Sequence, residues 1–174
     1  MSKIQKNTYV TKLISDATIE LLKDKDLYDI SISEITDKAA VSRASFYRNY
    51  KLKEDIVRND IYYQISSWQK TYEEKASSNN EYSNGLLMWK DLFRFLKDNS
   101  NYYILLEKRN LLYLLEDAIC DICGAKPEQP DSLAYFSSYM ARGTFGWIAE
   151  WIKRGMNDEY TSDVMNYLKT LSTL

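Results

Sequence analysis

The stretch Ile35–Ile56, ITDKAAVSRASFYRNYKLKEDI, decides how the chain is read. Its first part carries apolar residues at helical spacing. It then sets Arg43, Arg48, Lys51 and Lys53 within eleven positions that hold no acidic side chain, and only afterwards Glu54 and Asp55. Just upstream, SISE places Ser31 and Glu34 as a capping box, so a helix is expected to begin near Ser31, run through Ile35 and Ala39, and stop near Ala40–Val41. SRAS opens the next helix with Ser42 as N-cap, and this one runs to about Tyr50. Two short helices joined by a tight turn, the second capped and basic, predict a helix-turn-helix.

In such a motif the first helix braces the second, and the second offers its N-terminal residues to base edges in the major groove. Ile32, Ile35, Ala39, Val41 and Phe46 supply the packing. Arg43 can reach guanine O6 and N7. Ala44 and Ser45 are small enough for close approach, and Tyr47, Arg48 and Asn49 bring donors for phosphates or bases. Lys53 falls at the start of a fourth helix, where free N–H groups favour a phosphate. The bland alternative is a solvated basic helix face, as most charge runs are. The capping box and the matched apolar spacing count against it.

The run SISEITDKAAVSRASFYRNYKLKEDIV resembles the signature of TetR-type bacterial transcriptional regulators. That resemblance implies a three-helix DNA-binding domain over residues 1–52 and a larger helical effector and dimerisation domain over residues 53–174. It also implies that Ser33, Arg43, Ala44, Ser45, Tyr47, Arg48 and Asn49 fall where the family meets DNA, and Lys53 where it holds a phosphate. Two positions depart from the pattern: Ala40 stands where glycine is usual in the turn, and Tyr50 replaces the usual Phe.

Composition narrows the function further. Hydrophobic residues make up 45% of 174, enough for a real core. Apolar runs such as YYILL at 102–106 fall far short of the ~20 residues that span a bilayer, and MSKIQKNTYV lacks the apolar stretch of a secretory signal. A cytoplasmic protein with no membrane partner is expected. The net charge is -2, yet residues 1–58 hold eleven Lys and Arg against nine Asp and Glu, while residues 59–174 hold twelve against sixteen. A negatively charged partner would therefore meet the N-terminal third. The chain has no histidine, which removes the Ser-His-Asp and Cys-His triads, and its five glycines form no phosphate loop. Cys120 and Cys123 are too few for a zinc site without histidine, and they sit near a helix end closed by Gly124 rather than at a helix N-terminus. No enzyme activity, metal or cofactor is expected.

Elsewhere the apolar spacing is helical and no strand alternation survives. Val10, Leu13, Ile14, Ala17 and Leu21 mark one face of a first helix. A long helix is expected over about 52–76, a polar loop over 77–85, then helices at about 86–98, 101–108 and 110–123. After the break GAKPEQPD at 124–131 come helices at about 132–154 and 158–172. The fold class is all-α, with about nine helices.

The C-terminal two thirds is rich in aromatic residues, most of which suit a bundle core. A ligand cavity among them is the functional reading, with Trp89, Phe93, Tyr103, Tyr113, Tyr139 and Phe145 as candidates. Gly143 and Gly146 inside a helix cost about 1 kcal/mol each relative to Ala, which a close helix approach would offset. With Trp147, Ile148, Trp151 and Ile152 they are the candidate dimer interface, since the resemblance implies that the last two helices pair with their copies. The run GTFGWIAEWIKRGM resembles a subgroup of the family that includes regulators linked to dihydroxyacetone kinase operons, where a companion protein can carry the signal. The expected function is a homodimer bound to an inverted-repeat operator in double-stranded DNA, acting as a repressor released by an effector in the C-terminal domain. That effector is an unknown small molecule or protein. The alternative is a DNA-bound interaction module or activator controlled by a protein partner.

Overall fold

A computed structural model of the chain describes residues 3–78 and 85–156. Among these residues the protein is all-helical: α1 (Lys3–Leu22), α2 (Ile32–Lys38), α3 (Arg43–Asn49), α4 (Lys53–Ser78), α5 (Gly85–Asp98), α6 (Ser100–Lys108), α7 (Tyr113–Cys123) and α8 (Asp131–Lys153), with one 3-10 turn at Leu27–Asp29. The helix expected at about 158–172 lies outside the described residues, as does most of the expected polar loop. None of the described helices is long and apolar enough to cross a membrane.

The chain divides into two compact units, Met1–Tyr63 and Gln64–Leu174, and the division falls inside α4. In the first unit, α1, α2 and α3 pack on one another. Ile14, Leu22, Leu27, Ile30, Ile35, Phe46, Ile56 and Ile61 are fully or almost fully buried there. The hydroxyl of buried Thr18 donates to the Ile14 carbonyl at 2.8 Å, which lets a polar residue share the apolar face of α1. Ser15 ties α1 to the first half of α4 by donating to Asp60 at 2.8 Å.

In the second unit α8 packs on α6 and α7, and α5 on α6. The rings of Phe93 and Trp151 lie 5.1 Å apart and fasten α5 to α8. Ile148, Trp151 and Ile152 are buried within the protomer itself, so they serve this core. Gly124 caps α7, where its N–H reaches the Cys120 carbonyl at 2.9 Å. A Cβ at this position would stand 2.3 Å from that carbonyl oxygen, so only glycine fits.

Candidate nucleic-acid interface

The local chemistry of residues 31–55 builds the interface. Both halves of the capping box form: the Ser31 N–H donates to Glu34 at 2.8 Å, and the Glu34 N–H donates to the Ser31 hydroxyl at 3.2 Å. Glu34 also pairs with Lys25. The Lys25 ammonium, followed by the Ser31 donors, holds the Glu34 carboxyl down at about 2.

The turn after α2 closes as a Schellman motif. The Ala40 N–H reaches the Asp37 carbonyl at 3.2 Å, and the Val41 N–H reaches Thr36 at 3.0 Å. Such a turn needs a left-handed residue, and Ala40 takes that conformation with φ of 51°. The missing glycine therefore leaves the turn intact, and the cost appears as strain of about 1 kcal/mol at Ala40. Ser42 then caps α3, accepting from the Ser45 N–H at 3.2 Å.

On α3 the side chains of Arg43, Ala44, Tyr47 and Arg48 are exposed along one face, while Phe46 is buried on the other. Tyr47 is 61% exposed, and its ring sits edge-on to Phe46 with centroids 5.5 Å apart, which fixes its direction. Arg43 donates to the hydroxyl of Ser33 on α2. Ser33 thus orients the guanidinium. Ser45 and Asn49 are half-buried, and the Asn49 amide donates one N–H to the Ser45 carbonyl at 2.7 Å, which ties its side chain to α3. Tyr50 is buried against Phe46, and burial, with the Asp60 charge second, pushes its hydroxyl up to about 12.

Lys53 is engaged in a way the sequence did not suggest. Its ammonium donates to the backbone carbonyls of Tyr28 at 2.8 Å and Ile30 at 2.7 Å. The Tyr28 hydroxyl returns the link by donating to Glu54 at 2.6 Å. Just ahead of α4, Asp55 accepts from the backbone N–H groups of Lys51 at 3.1 Å and Leu52 at 2.8 Å. Lys53 is therefore a brace between α4 and the segment that leads into α2.

The second unit contains an apolar cavity of about 240 Å3. Ile65 and Trp68 of α4 and Met88, Trp89 and Leu92 of α5 form one side. Ile119 and Cys123 of α7 and Phe136, Met140, Ala141 and Thr144 of α8 form the other. Of the six aromatic residues expected to line a cavity, Trp89 does. Phe93 is buried against Trp151, Tyr103 is fully buried, Phe145 is half-buried, and Tyr113 and Tyr139 are exposed. The remaining lining residues were missed. They do carry a signal, because Phe136, Met140 and Thr144 recur every four residues on α8 and Ile119 and Cys123 do so on α7, but such spacing also marks an ordinary core. Both thiols are free, and burial raises the pKa of each.

The candidate dimer residues divide. Ile148, Trp151 and Ile152 face the core, whereas Gly143 and Gly146 are exposed and Trp147 is half-buried. Among the described residues, a Cβ at either glycine would meet nothing within 4 Å. On the same stripe of α8, Tyr135 and Tyr139 are 73% and 74% exposed.

Residues 14–59 match the family model described as bacterial regulatory proteins, tetR family. Among solved structures the chain is similar to the dihydroxyacetone kinase operon activator DhaS, with 20% identity and a TM-score of 0.51 over 93% of this chain and 95% of that one. At that identity the likeness speaks for the fold. No curated protein matches the chain.

Proposed function

We propose, from an N-terminal domain of the TetR regulatory type as premise, that this transcriptional regulator is a homodimer that reads an inverted-repeat operator with α3. The carrying observation is the exposed face of Arg43, Ala44, Tyr47 and Arg48, held outward by Ser33 and Phe46. Arg43 and Tyr47 make the base contacts, Arg48 meets phosphate, and Ser45 and Asn49 stand behind them. Lys53 holds the geometry. Two half-sites ~34–36 Å apart suit a two-fold dimer. The stripe of Tyr135, Tyr139, Gly143 and Gly146 supports pairing through α8, because nothing among the described residues requires glycine there. The regulator acts as a repressor released by an effector in the second unit. A second reading, favoured by the description of the structural neighbour as an activator, is activation under the control of a protein partner.

Selection of operator sequences from random duplex DNA, followed by titration with variants, tests the reading. Arg43→Ala and Tyr47→Ala should each weaken the selected operator roughly 10- to 100-fold, as loss of about 1–3 kcal/mol of base readout demands, with helicity unchanged. Wild-type affinity in both variants would remove α3 as the reading helix.

A further inference from the structure

The cavity in the second unit has a chemistry specific enough to name what it takes. Trp68, Trp89 and Phe136 give it ring faces and edges, and Met88 and Met140 give it thioether walls that adapt to shape. Apolar cavities of about 150 Å3 stay dry and accept benzene, so one of about 240 Å3 has room for a second ring. Among the described residues no Lys, Arg, Asp or Glu lines it. A charged guest would shed its hydration there without compensation.

Its polar features are few and already directed. The Trp68 indole N–H is committed to Asp91 at 3.0 Å. The Thr144 hydroxyl donates to the Met140 carbonyl at 2.6 Å, which leaves its oxygen free to accept one hydrogen bond. Cys123, at the end of α7, contributes a thiol as a soft part of the wall. Phe136, 60% exposed on α8, stands at the edge of the cavity and marks where a guest would enter.

We propose that this cavity binds an uncharged molecule of one or two fused rings bearing at most one hydrogen-bond donor, and that this molecule is the regulator's small-molecule signal. The second half rests on the regulatory reading above, while the first does not. A small polyhydroxylated guest such as dihydroxyacetone is excluded by the same chemistry, because its hydroxyls would find one acceptor among apolar walls.

Calorimetric titration of the full chain, without DNA, tests the cavity with 1-naphthol, 1-naphthoate and dihydroxyacetone. The naphthol should bind saturably at one site per chain. The naphthoate, with the same rings and a charge, should bind at least tenfold more weakly, and dihydroxyacetone should not bind. Ala141→Phe should fill the space and reduce naphthol affinity at least tenfold. Met140→Trp, at a half-buried position, does the same should Ala141→Phe lose its helical circular dichroism. Thr144→Val should weaken naphthol more than naphthalene. Absence of saturable naphthol binding, equal affinity for naphthoate, or full affinity in a folded cavity-filling variant overturns the cavity assignment. For the regulatory half, saturating naphthol should shift operator affinity at least fivefold. Binding without any such shift overturns that half alone, and failure of the chain to bind any DNA overturns the regulatory reading while leaving the calorimetry legible.

Discussion

The two units of this protein build their sites by opposite means. In Met1–Tyr63 the contacts that shape the reading face are mostly local, three positions apart for Ser31 with Glu34 and Ser42 with Ser45 and ten for Arg43 with Ser33. In Gln64–Leu174 the cavity exists only because four helices meet, bringing Trp68 near Phe136 across nearly seventy positions of sequence. A site made of caps and turns is specified residue by residue. A site made of packing is specified by which faces happen to oppose each other.

The largest expected effects test whether the two kinds of site fail separately. Phe46 and Ile148 are both fully buried, one in each unit. Phe46→Ala should cost about 3–5 kcal/mol and Ile148→Ala about 2–5 kcal/mol. In a small unit that loss should abolish operator binding for Phe46→Ala while naphthol binding and dimerisation survive, and Ile148→Ala should do the reverse. Thermal melts that stay cooperative and lose both activities together in either variant would break the comparison.

Lys53 offers the next largest effect, because it distinguishes a brace from a phosphate ligand. Lys53→Met removes two charge-assisted hydrogen bonds to the Tyr28 and Ile30 carbonyls. Partial solvent access lowers their worth to about 1–2 kcal/mol of stability in the first unit. DNA affinity should fall for every sequence with the salt slope unchanged. A slope reduced by about one unit, with stability intact, would return Lys53 to the phosphate.

The contrast also explains what was legible beforehand. The helix bounds, the capping box, the N-cap at Ser42 and the outward set on α3 all follow from signals four residues long, which a sequence displays directly. The brace did not, since nothing in KLKED tells that the Lys53 ammonium folds back onto carbonyls more than twenty residues upstream. Nor did the cavity, because Trp89 and Phe93 look alike as buried aromatics until α8 arrives to cover one with Trp151 and leave space beside the other. Ile148, Trp151 and Ile152 seemed suited to a partner for the same reason: a helix with two apolar faces does not say which one its own chain covers.

Gly143→Ala sharpens that last point with a smaller effect. The added Cβ meets nothing within 4 Å among the described residues, so helix propensity alone should stabilise α8 by about 1 kcal/mol. If a second copy lies against this stripe, the same methyl obstructs the approach, and sedimentation should report a weaker dimer from a more stable protomer. Gly146→Ala should behave alike. An unchanged dimer in both variants would move the pairing surface off α8.

The smallest expected effect concerns pH and belongs wholly to the first unit. Glu34 ionises at about 2 rather than at the ordinary 4.5, chiefly through the hydrogen bond from Lys25 and secondarily through the Ser31 donors of its capping box. A carboxyl depressed by folding contributes stability above its unfolded value, and that contribution fades as pH falls from 4.5 towards 2. Glu34 is half-exposed and meets solvent, so screening keeps the contribution small. Glu34→Gln retains a side chain that can accept from the Ser31 N–H, yet it loses both the charge and the pair with Lys25. The variant should therefore be slightly less stable than the wild type at pH 7, and most of the difference should be gone by pH 2. Denaturant melts at the two pH values, read through the first unit by the loss of operator binding at the higher one and by helicity at both, measure it. A gap that persists in full at pH 2 would mean that the cap geometry, rather than the charge, carries what Glu34 contributes to the start of α2.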